Sequence, residues 1–121
     1  MRCLPSFPVS PSNSLEGLTF ALRHDSAMAA ELVEKTNRYE RLLSEALDAA
    51  EIAAPTDTPM GEAAVDCREM ARSYLEDGRH FKDEDDFVNA LASFSYGHAW
   101  LDAGARIGVF DVPREGHLFT V

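Results

Sequence analysis

The sequence lacks the signals of several large protein classes. Its 121 residues contain no apolar run of the roughly eighteen residues that a membrane span needs, which argues against a membrane role. HExxH, a Gly-rich phosphate loop and cysteine pairs at metal-ligand spacing are absent, so no common motif assigns a cofactor. The two cysteines, Cys3 and Cys67, have dissimilar surroundings, which predicts free thiols in the cytoplasm and not a disulfide framework.

Basic residues are also scarce. Lys and Arg number 11 against 21 Asp and Glu, so the formal net charge is −10 at pH 7. Such a surface repels a phosphate backbone, which argues against nucleic acid as a partner. Only Lys35 and Lys82 are lysines, and strong acidity with little lysine is favoured in a salt-rich cytoplasm, where ions screen carboxylate repulsion. We therefore predict a halophilic, cytoplasmic protein; an acidic protein without salt adaptation is the alternative.

The first part of the chain differs in composition from the rest. Residues 5–14 contain three Pro and four Ser, a run that supports neither a helix nor a strand ladder. The composition becomes helical at Met28, so we predict that residues 1–27 are a disordered extension that the folded domain does not need. An incorrectly assigned start, with Met28 as the first residue, is one alternative. A partner-binding tail around Phe7 and Phe20 is another.

The remaining residues, 28–121, have the length and composition of one small globular domain. Apolar side chains recur there at three- and four-residue steps, which predicts amphipathic helices at about 29–53, 59–82 and 85–107. Pro55 stops the first helix, and Thr58 before a proline begins the second. We predict an all-α fold, an up-down-up three-helix bundle with a short C-terminal tail that folds back onto it. The apolar residues of that tail are Val109, Phe110, Leu118 and Phe119.

The third predicted helix has a long uncharged stretch. Its fifteen residues from Phe87 to Leu101 carry no charge. With about 100° between successive residues, the side opposite the apolar positions collects Asn89, Ser93, Tyr96 and Trp100. Each helix of a three-helix bundle shows one face to water, and an uncharged, partly aromatic face there suits a protein contact. We predict that these four residues form an interaction surface. The alternative is that the first helix or the tail covers them.

A family resemblance covers residues 29–121. The segments YLEDGRHF, DDFVNALASFSYGHAWLDAG and ARIGVF resemble the short archaeal proteins grouped as domain of unknown function family 357. The residues that carry the resemblance are Tyr74, Asp77, Gly78, Phe81, Asn89, Ala90, Tyr96, Trp100, Asp102 and Gly104. The resemblance implies an up-down-up three-helix bundle and an archaeal source, fits the halophile-like composition, and implies no activity.

An enzyme is the alternative function. His98 and Asp102 are four residues apart on one helix face and, with His80, would supply two nitrogens and one oxygen to a metal ion. Pairs at this spacing are common by chance, and a buried, hydrogen-bonded histidine explains the same residues, so we predict no bound metal or other cofactor. The sequence favours a non-enzymatic interaction module, binding an unidentified protein partner or forming a homodimer, over a small metal-dependent enzyme.

Overall fold

Three helices account for most of the described chain. The computed structural model describes the backbone of residues 18–121 and the side chains from Ser26 onward. In chain order the elements are α1 (Leu18–Ala49), β1 (Glu51–Ile52), α2 (Pro59–Asp83), α3 (Phe87–Ile107) and β2 (Phe110–Asp111). The helices run up, down and up, and α3 packs against both α1 and α2, which confirms the predicted all-α bundle. No helix in this part of the chain is long and apolar enough to cross a membrane.

Helix α1 begins earlier than predicted. The expected start at residue 29 came from the change in composition at Met28, but neither proline nor glycine interrupts the chain between there and Leu18. The helix therefore continues back to Leu18, and residues 18–27 of the predicted disordered extension are helical. Residues 1–17 of that extension lie outside the described residues. The side chains from Ser26 to Glu31 are exposed, so these six residues contribute little to the core.

Helix α1 also ends earlier than predicted, at Ala49 and not near residue 53. The chain leaves the helix to form a short antiparallel pair with the segment after α3, and the register places Glu51 opposite Asp111 and Ile52 opposite Phe110. Arg68 of α2 donates a hydrogen bond to the carbonyl of Ala50 at 2.5 Å. This bond satisfies one of the carbonyls that every helix leaves without an internal partner at its C-terminal end.

Local side chains determine where α2 starts and where α3 follows it. Thr58 is the N-cap of α2 and accepts a hydrogen bond from the Gly61 N–H at 3.1 Å, as its position before a proline predicted. In the turn to α3, Asp85 has a φ of 61°, a left-handed conformation that aspartate tolerates better than most residues. Asp86 then caps α3 by accepting a hydrogen bond from the Asn89 N–H at 3.2 Å. The acidic run between the helices thus has a structural use.

The core lies between the three helices and continues under the end of the chain. Its buried apolar residues are Leu43, Ala46, Ala50, Ala64, Ala71, Tyr74, Leu75, Phe81, Ala90, Phe94, Leu101, Val109, Phe110 and Phe119. Gly97 lets α3 approach both neighbours, because a Cβ there would lie 2.7 Å from Leu43 Cδ2 and 3.0 Å from Tyr74 Cβ. Gly104 makes room for the ring of Phe110, which would lie 2.6 Å from a Cβ at that position.

The C-terminal tail, residues 109–121, folds back onto the bundle as predicted. Val109, Phe110 and Phe119 are buried, and Leu118 packs against them. The ring of Phe119 also stacks on the imidazole of His98, with 6.1 Å between the ring centroids. The tail is therefore part of the folded domain.

Candidate functional site

One side of α3 is exposed and, between Phe87 and Leu101, carries no charge. Its large side chains and the alanines between them form what we call the α3 face: Val88, Ala92, Tyr96, Ala99, Trp100, Ala103 and Ile107. The exposed fraction of the large residues runs from 38% for Trp100 to 71% for Ile107. Apolar side chains that stay exposed together along one helix are typical of a contact surface.

The middle of the α3 face is a shallow groove with a fixed aromatic edge. The groove has a volume of about 260 Å³ and is lined by Tyr96, Ala99, Trp100 and Ala103. The Tyr96 ring stacks on the ring of Tyr74 in α2, with centroids 5.7 Å apart and planes 20° apart. Since Tyr74 is buried, the stack orients Tyr96 before any partner arrives, which reduces the entropy lost on binding.

Two of the four residues predicted to form an interaction surface are exposed and two are buried. Tyr96 and Trp100 are exposed, whereas Asn89 is 6% exposed and Ser93 is completely buried, so the latter two cannot contact a partner. Both were assigned to the surface because their helical angle places them opposite the apolar positions of α3. Asn89 instead donates to the Asp86 carboxylate at 2.6 Å, and the Ser93 hydroxyl donates to the carbonyl of Asn89 at 2.9 Å. These bonds pair the Ser93 hydroxyl and the Asn89 amide nitrogen, whereas the Asn89 Oδ1 atom is buried without a hydrogen-bond partner among the described residues.

The sequence interpretation missed the small and aliphatic members of the α3 face. Val88, Ala99 and Ile107 were not assigned to any surface. A usable signal was present in the two glycines of α3, because Gly97 and Gly104 mark the centre of its buried side. Successive residues of a helix are about 100° apart around its axis. By this spacing, Val88 and Ala99 lie almost directly opposite the two glycines.

A different side of α3 holds the C-terminal tail. Asp102 accepts hydrogen bonds from the backbone N–H and the hydroxyl of Thr120, at 2.8 and 2.5 Å. Arg106 donates to the Thr120 carbonyl at 3.1 Å, and His98 Nε2 donates to the Leu118 carbonyl at 2.5 Å. Because a carbonyl only accepts, this ring nitrogen of His98 carries a proton. We call His98, Asp102 and Arg106 the tail anchor.

The alternative metal site is not assembled. His80 pairs with Glu84 at 2.9 Å, while His98 and Asp102 are both engaged by the tail. No group of three or more His, Cys, Asp or Glu side chains within the described residues is arranged to hold a metal ion. Burial, with a contribution from Asp66, raises the pKa of the Cys67 thiol, which disfavours a reactive thiolate. In this fold His80 pairs with Glu84, and His98 and Asp102 bond to the C-terminal tail.

The tail anchor makes stability depend on pH through Asp102. Burial opposes ionisation of this carboxyl, but hydrogen bonds from Thr120 and the charges of His98 and Arg106 outweigh it, so its pKa lies below the ordinary value. A lowered pKa stabilises the fold above the ordinary pKa and stops doing so as the pH falls through the folded value.

We therefore expect Asp102→Asn to lower the free energy of unfolding by about 1 kcal/mol at neutral pH. The difference between variant and wild type should shrink in acid, where the wild-type carboxyl is protonated as well. Urea titrations of both proteins at neutral and acid pH measure this. A difference that stays constant or grows in acid would contradict the assigned role of the carboxylate.

The fold and the comparisons with known proteins define the class of this protein. It is a small three-helix-bundle protein with a folded-back C-terminal tail. A family model described as "Protein of unknown function (DUF357)" matches residues 38–110, which is more than half of the chain. The chain belongs to this family, as its motifs indicated. Neither a curated protein nor a solved structure matches it.

Proposed function

We propose that this protein is a non-enzymatic module that associates with a second copy of itself through the α3 face. The observation that carries the proposal is an exposed, largely apolar helix face, uncharged between Phe87 and Leu101, in a chain of net charge −10. A different protein as the occupant of this face is the alternative that the experiments below separate.

The α3 face has an order of residues that suits pairing with itself. Around the midpoint between Gly97 and His98, six of its seven members have a counterpart at the same distance: Val88 with Ile107, Ala92 with Ala103 and Tyr96 with Ala99. In an antiparallel, two-fold symmetric pair of α3 helices, these counterparts lie opposite each other. Each Tyr96 ring then meets the alanine of the other copy, and Trp100 meets the small side chain of Ser95. Large residues are matched with small ones at the centre of the contact.

Charge favours the same pairing. Two copies that each carry −10 repel one another wherever carboxylates meet, and the repulsion is strongest at low ionic strength. The residues of the α3 face include no Asp or Glu, and the carboxylate of Asp102 on the same helix is bonded to Thr120 of the tail. We expect the dimer to tighten as salt concentration rises.

The size of the face sets the expected strength of binding. From Val88 to Ile107 the helix rises by about 28 Å, at 1.5 Å per residue. A contact made mainly by one helix from each copy belongs to the smaller class of interfaces, which bind weakly or transiently. We therefore expect a dissociation constant in the micromolar range, reached at ordinary laboratory concentrations.

Trp100→Ala tests the proposal. Loss of an aromatic anchor at the centre of an interface costs about 2 kcal/mol or more of binding, which corresponds to a dimer weakened about thirtyfold. Trp100 is 38% exposed in the single chain, so the free energy of unfolding should fall by much less than the 3–5 kcal/mol or so of a core aromatic. Sedimentation across a concentration series measures the dimer, and thermal unfolding measures the fold.

Met60→Ala is the matched control, because Met60 is an exposed apolar residue on α2 that lies outside the α3 face. It should leave the dimer unchanged. A wild type that is monomeric at all concentrations, with a Trp100→Ala variant that is largely unfolded, would contradict self-association. A monomeric wild type that keeps its stability in Trp100→Ala would favour a different protein as the occupant.

The cellular setting belongs to the same proposal. A salt-rich archaeal cytoplasm is supported by the net charge of −10 and by the presence of only two lysines among the 11 basic residues. A melting temperature that rises with KCl into the molar range is the expected behaviour, and a flat response would remove this support.

A further inference from the structure

We propose that a second site, a pocket between α1 and the C-terminal tail, binds a small organic anion in which a carboxylate or phosphate group is attached to an apolar body. The pocket has a volume of about 460 Å³ and is lined by Arg38, Tyr39, Arg41, Leu42, Glu45 and His117. This volume falls within the range of about 300–1,000 Å³ that is typical of small-molecule sites. No residue of α3 lines it, so this site is separate from the proposed dimer contact.

The lining concentrates positive charge in a strongly acidic chain. Two of the six lining residues are arginines, and His117 faces them from the tail. Arg41 has no hydrogen bond or ion pair within the described residues. Arg38 reaches only Glu34, at 3.9 Å, which is beyond hydrogen-bond distance. Two guanidinium groups therefore keep free N–H donors, in the planar geometry that suits a carboxylate or a phosphate.

Other basic side chains of this protein are engaged by nearby acceptors. Arg72 pairs with Glu69 at 2.8 Å, and Arg79 and Lys82 both bind Glu40, at 2.8 and 2.6 Å. With 21 acidic residues available, pairing is the expected state of a cation here. Among the described residues, Arg38 and Arg41 lack such a close acceptor, as Lys35 and Arg114 do, and Arg38 and Arg41 are the two of these four that line the pocket.

The rest of the lining limits the kind of anion. Tyr39 and Leu42 are half-buried and give the pocket an apolar side against which a ring or short aliphatic group can pack. Glu45 places one carboxylate at the pocket, which disfavours a ligand with many negative charges. The backbone beside His117 is fixed, because the carbonyl of the next residue, Leu118, accepts a hydrogen bond from His98. A compact molecule with one anionic group and an apolar body fits this combination.

Phenyl phosphate, benzoate and inorganic phosphate are suitable probes for the full chain. We expect phenyl phosphate or benzoate to bind saturably and to shift the amide NMR signals of residues 38–45 and 117. Inorganic phosphate should bind at least several-fold more weakly, because it has no apolar body. The stronger of the two ring-bearing probes identifies the anionic group, and benzyl alcohol, which carries no charge, should not bind.

Arg41→Gln should weaken the binding of the more tightly bound probe at least tenfold. Arg72→Gln is the matched control, since it removes the same charge from another exposed arginine, and it should change the affinity less than twofold. Arg41→Lys keeps the charge and loses the planar donor group, so its affinity for the probe should lie between those of Arg41→Gln and Arg72→Gln. Circular dichroism checks that each variant is folded.

Three results would overturn this proposal: no saturable binding by either ring-bearing anion, equal weakening by Arg41→Gln and Arg72→Gln, or equal binding of benzyl alcohol. None of them bears on self-association, because the probes should leave the sedimentation of the wild type unchanged. Failure of this site and failure of the α3 contact are therefore distinguishable.

Discussion

Phe94→Ala should lower the free energy of unfolding by about 3–5 kcal/mol. Phe94 is completely buried at the centre of α3, and its ring packs directly on Gly78 of α2, where a Cβ would lie 2.3 Å from it. Alanine at this position leaves a cavity that the backbone of two helices cannot close, because their spacing is fixed by the surrounding contacts. A small domain is stable by only about 5–15 kcal/mol, so this variant should be close to unfolding at room temperature.

Urea titration measures this loss, at protein concentrations below those at which the wild type dimerises. Val65→Ala provides the comparison, because Val65 is an exposed apolar residue of α2 and its truncation should cost no more than about 0.5–1 kcal/mol. A loss below about 1 kcal/mol for Phe94→Ala would show that the Phe94–Gly78 contact does not hold α2 and α3 together.

Ala99→Glu should abolish self-association while leaving the single chain folded. In the proposed antiparallel contact, Ala99 lies against Tyr96 of the other copy, near the symmetry axis. Two new carboxylates would be buried there without partners, and an unpaired buried charge costs about 3–5 kcal/mol, or more than a hundredfold in affinity. Ala99 is exposed in the single chain, so its melting temperature should change little. Sedimentation of the variant over the range in which the wild type dimerises gives the answer.

Ala30→Glu separates this local effect from net charge. Ala30 is also an exposed helical alanine, on α1 and outside the α3 face, and its replacement makes the same charge change. It should leave the dimer nearly intact. If both variants weakened association equally, the cause would be general repulsion, and the α3 face would lose its assigned role.

The sequence predicted best those features that depend on near neighbours along the chain. The start of α2 follows from Thr58 and the proline after it, and the observed boundary agrees with that signal. The start of α1 was misplaced because a change in composition was taken as a boundary where no residue breaks the helix. Helical periodicity correctly placed Tyr96 and Trp100 on the exposed side of α3.

The features that escaped sequence interpretation depend on distant contacts. Asn89 and Ser93 are polar, and nothing local indicated that the bundle would bury them with hydrogen-bond partners supplied by α3 and its cap. His98 and Asp102 have the spacing of a metal site, and only the path of the tail, which brings Leu118 and Thr120 beside them, assigns them a structural role. The anion pocket likewise requires residues of α1 and the tail to meet, which no periodic pattern encodes.

Disulfide cross-linking tests antiparallel self-association through α3 directly. Ala92→Cys and Ala103→Cys are introduced into separate copies of a background in which Cys3→Ser and Cys67→Ala remove the native thiols. One copy carries a size tag, so that mixed and unmixed products separate on a non-reducing gel. A disulfide needs Cα atoms about 4.4–6.8 Å apart, so only residues that face each other closely can join.

Oxidation of the mixture should link the Ala92→Cys copy to the Ala103→Cys copy, and neither variant should link efficiently to itself. The prediction follows from the symmetry of the contact, since Ala92 and Ala103 are equidistant from the midpoint between Gly97 and His98. Efficient self-linking of Ala92→Cys would indicate a parallel arrangement of the helices and contradict the proposed contact. The absence of any linked product, under conditions in which the wild type is monomeric by sedimentation, would contradict self-association itself.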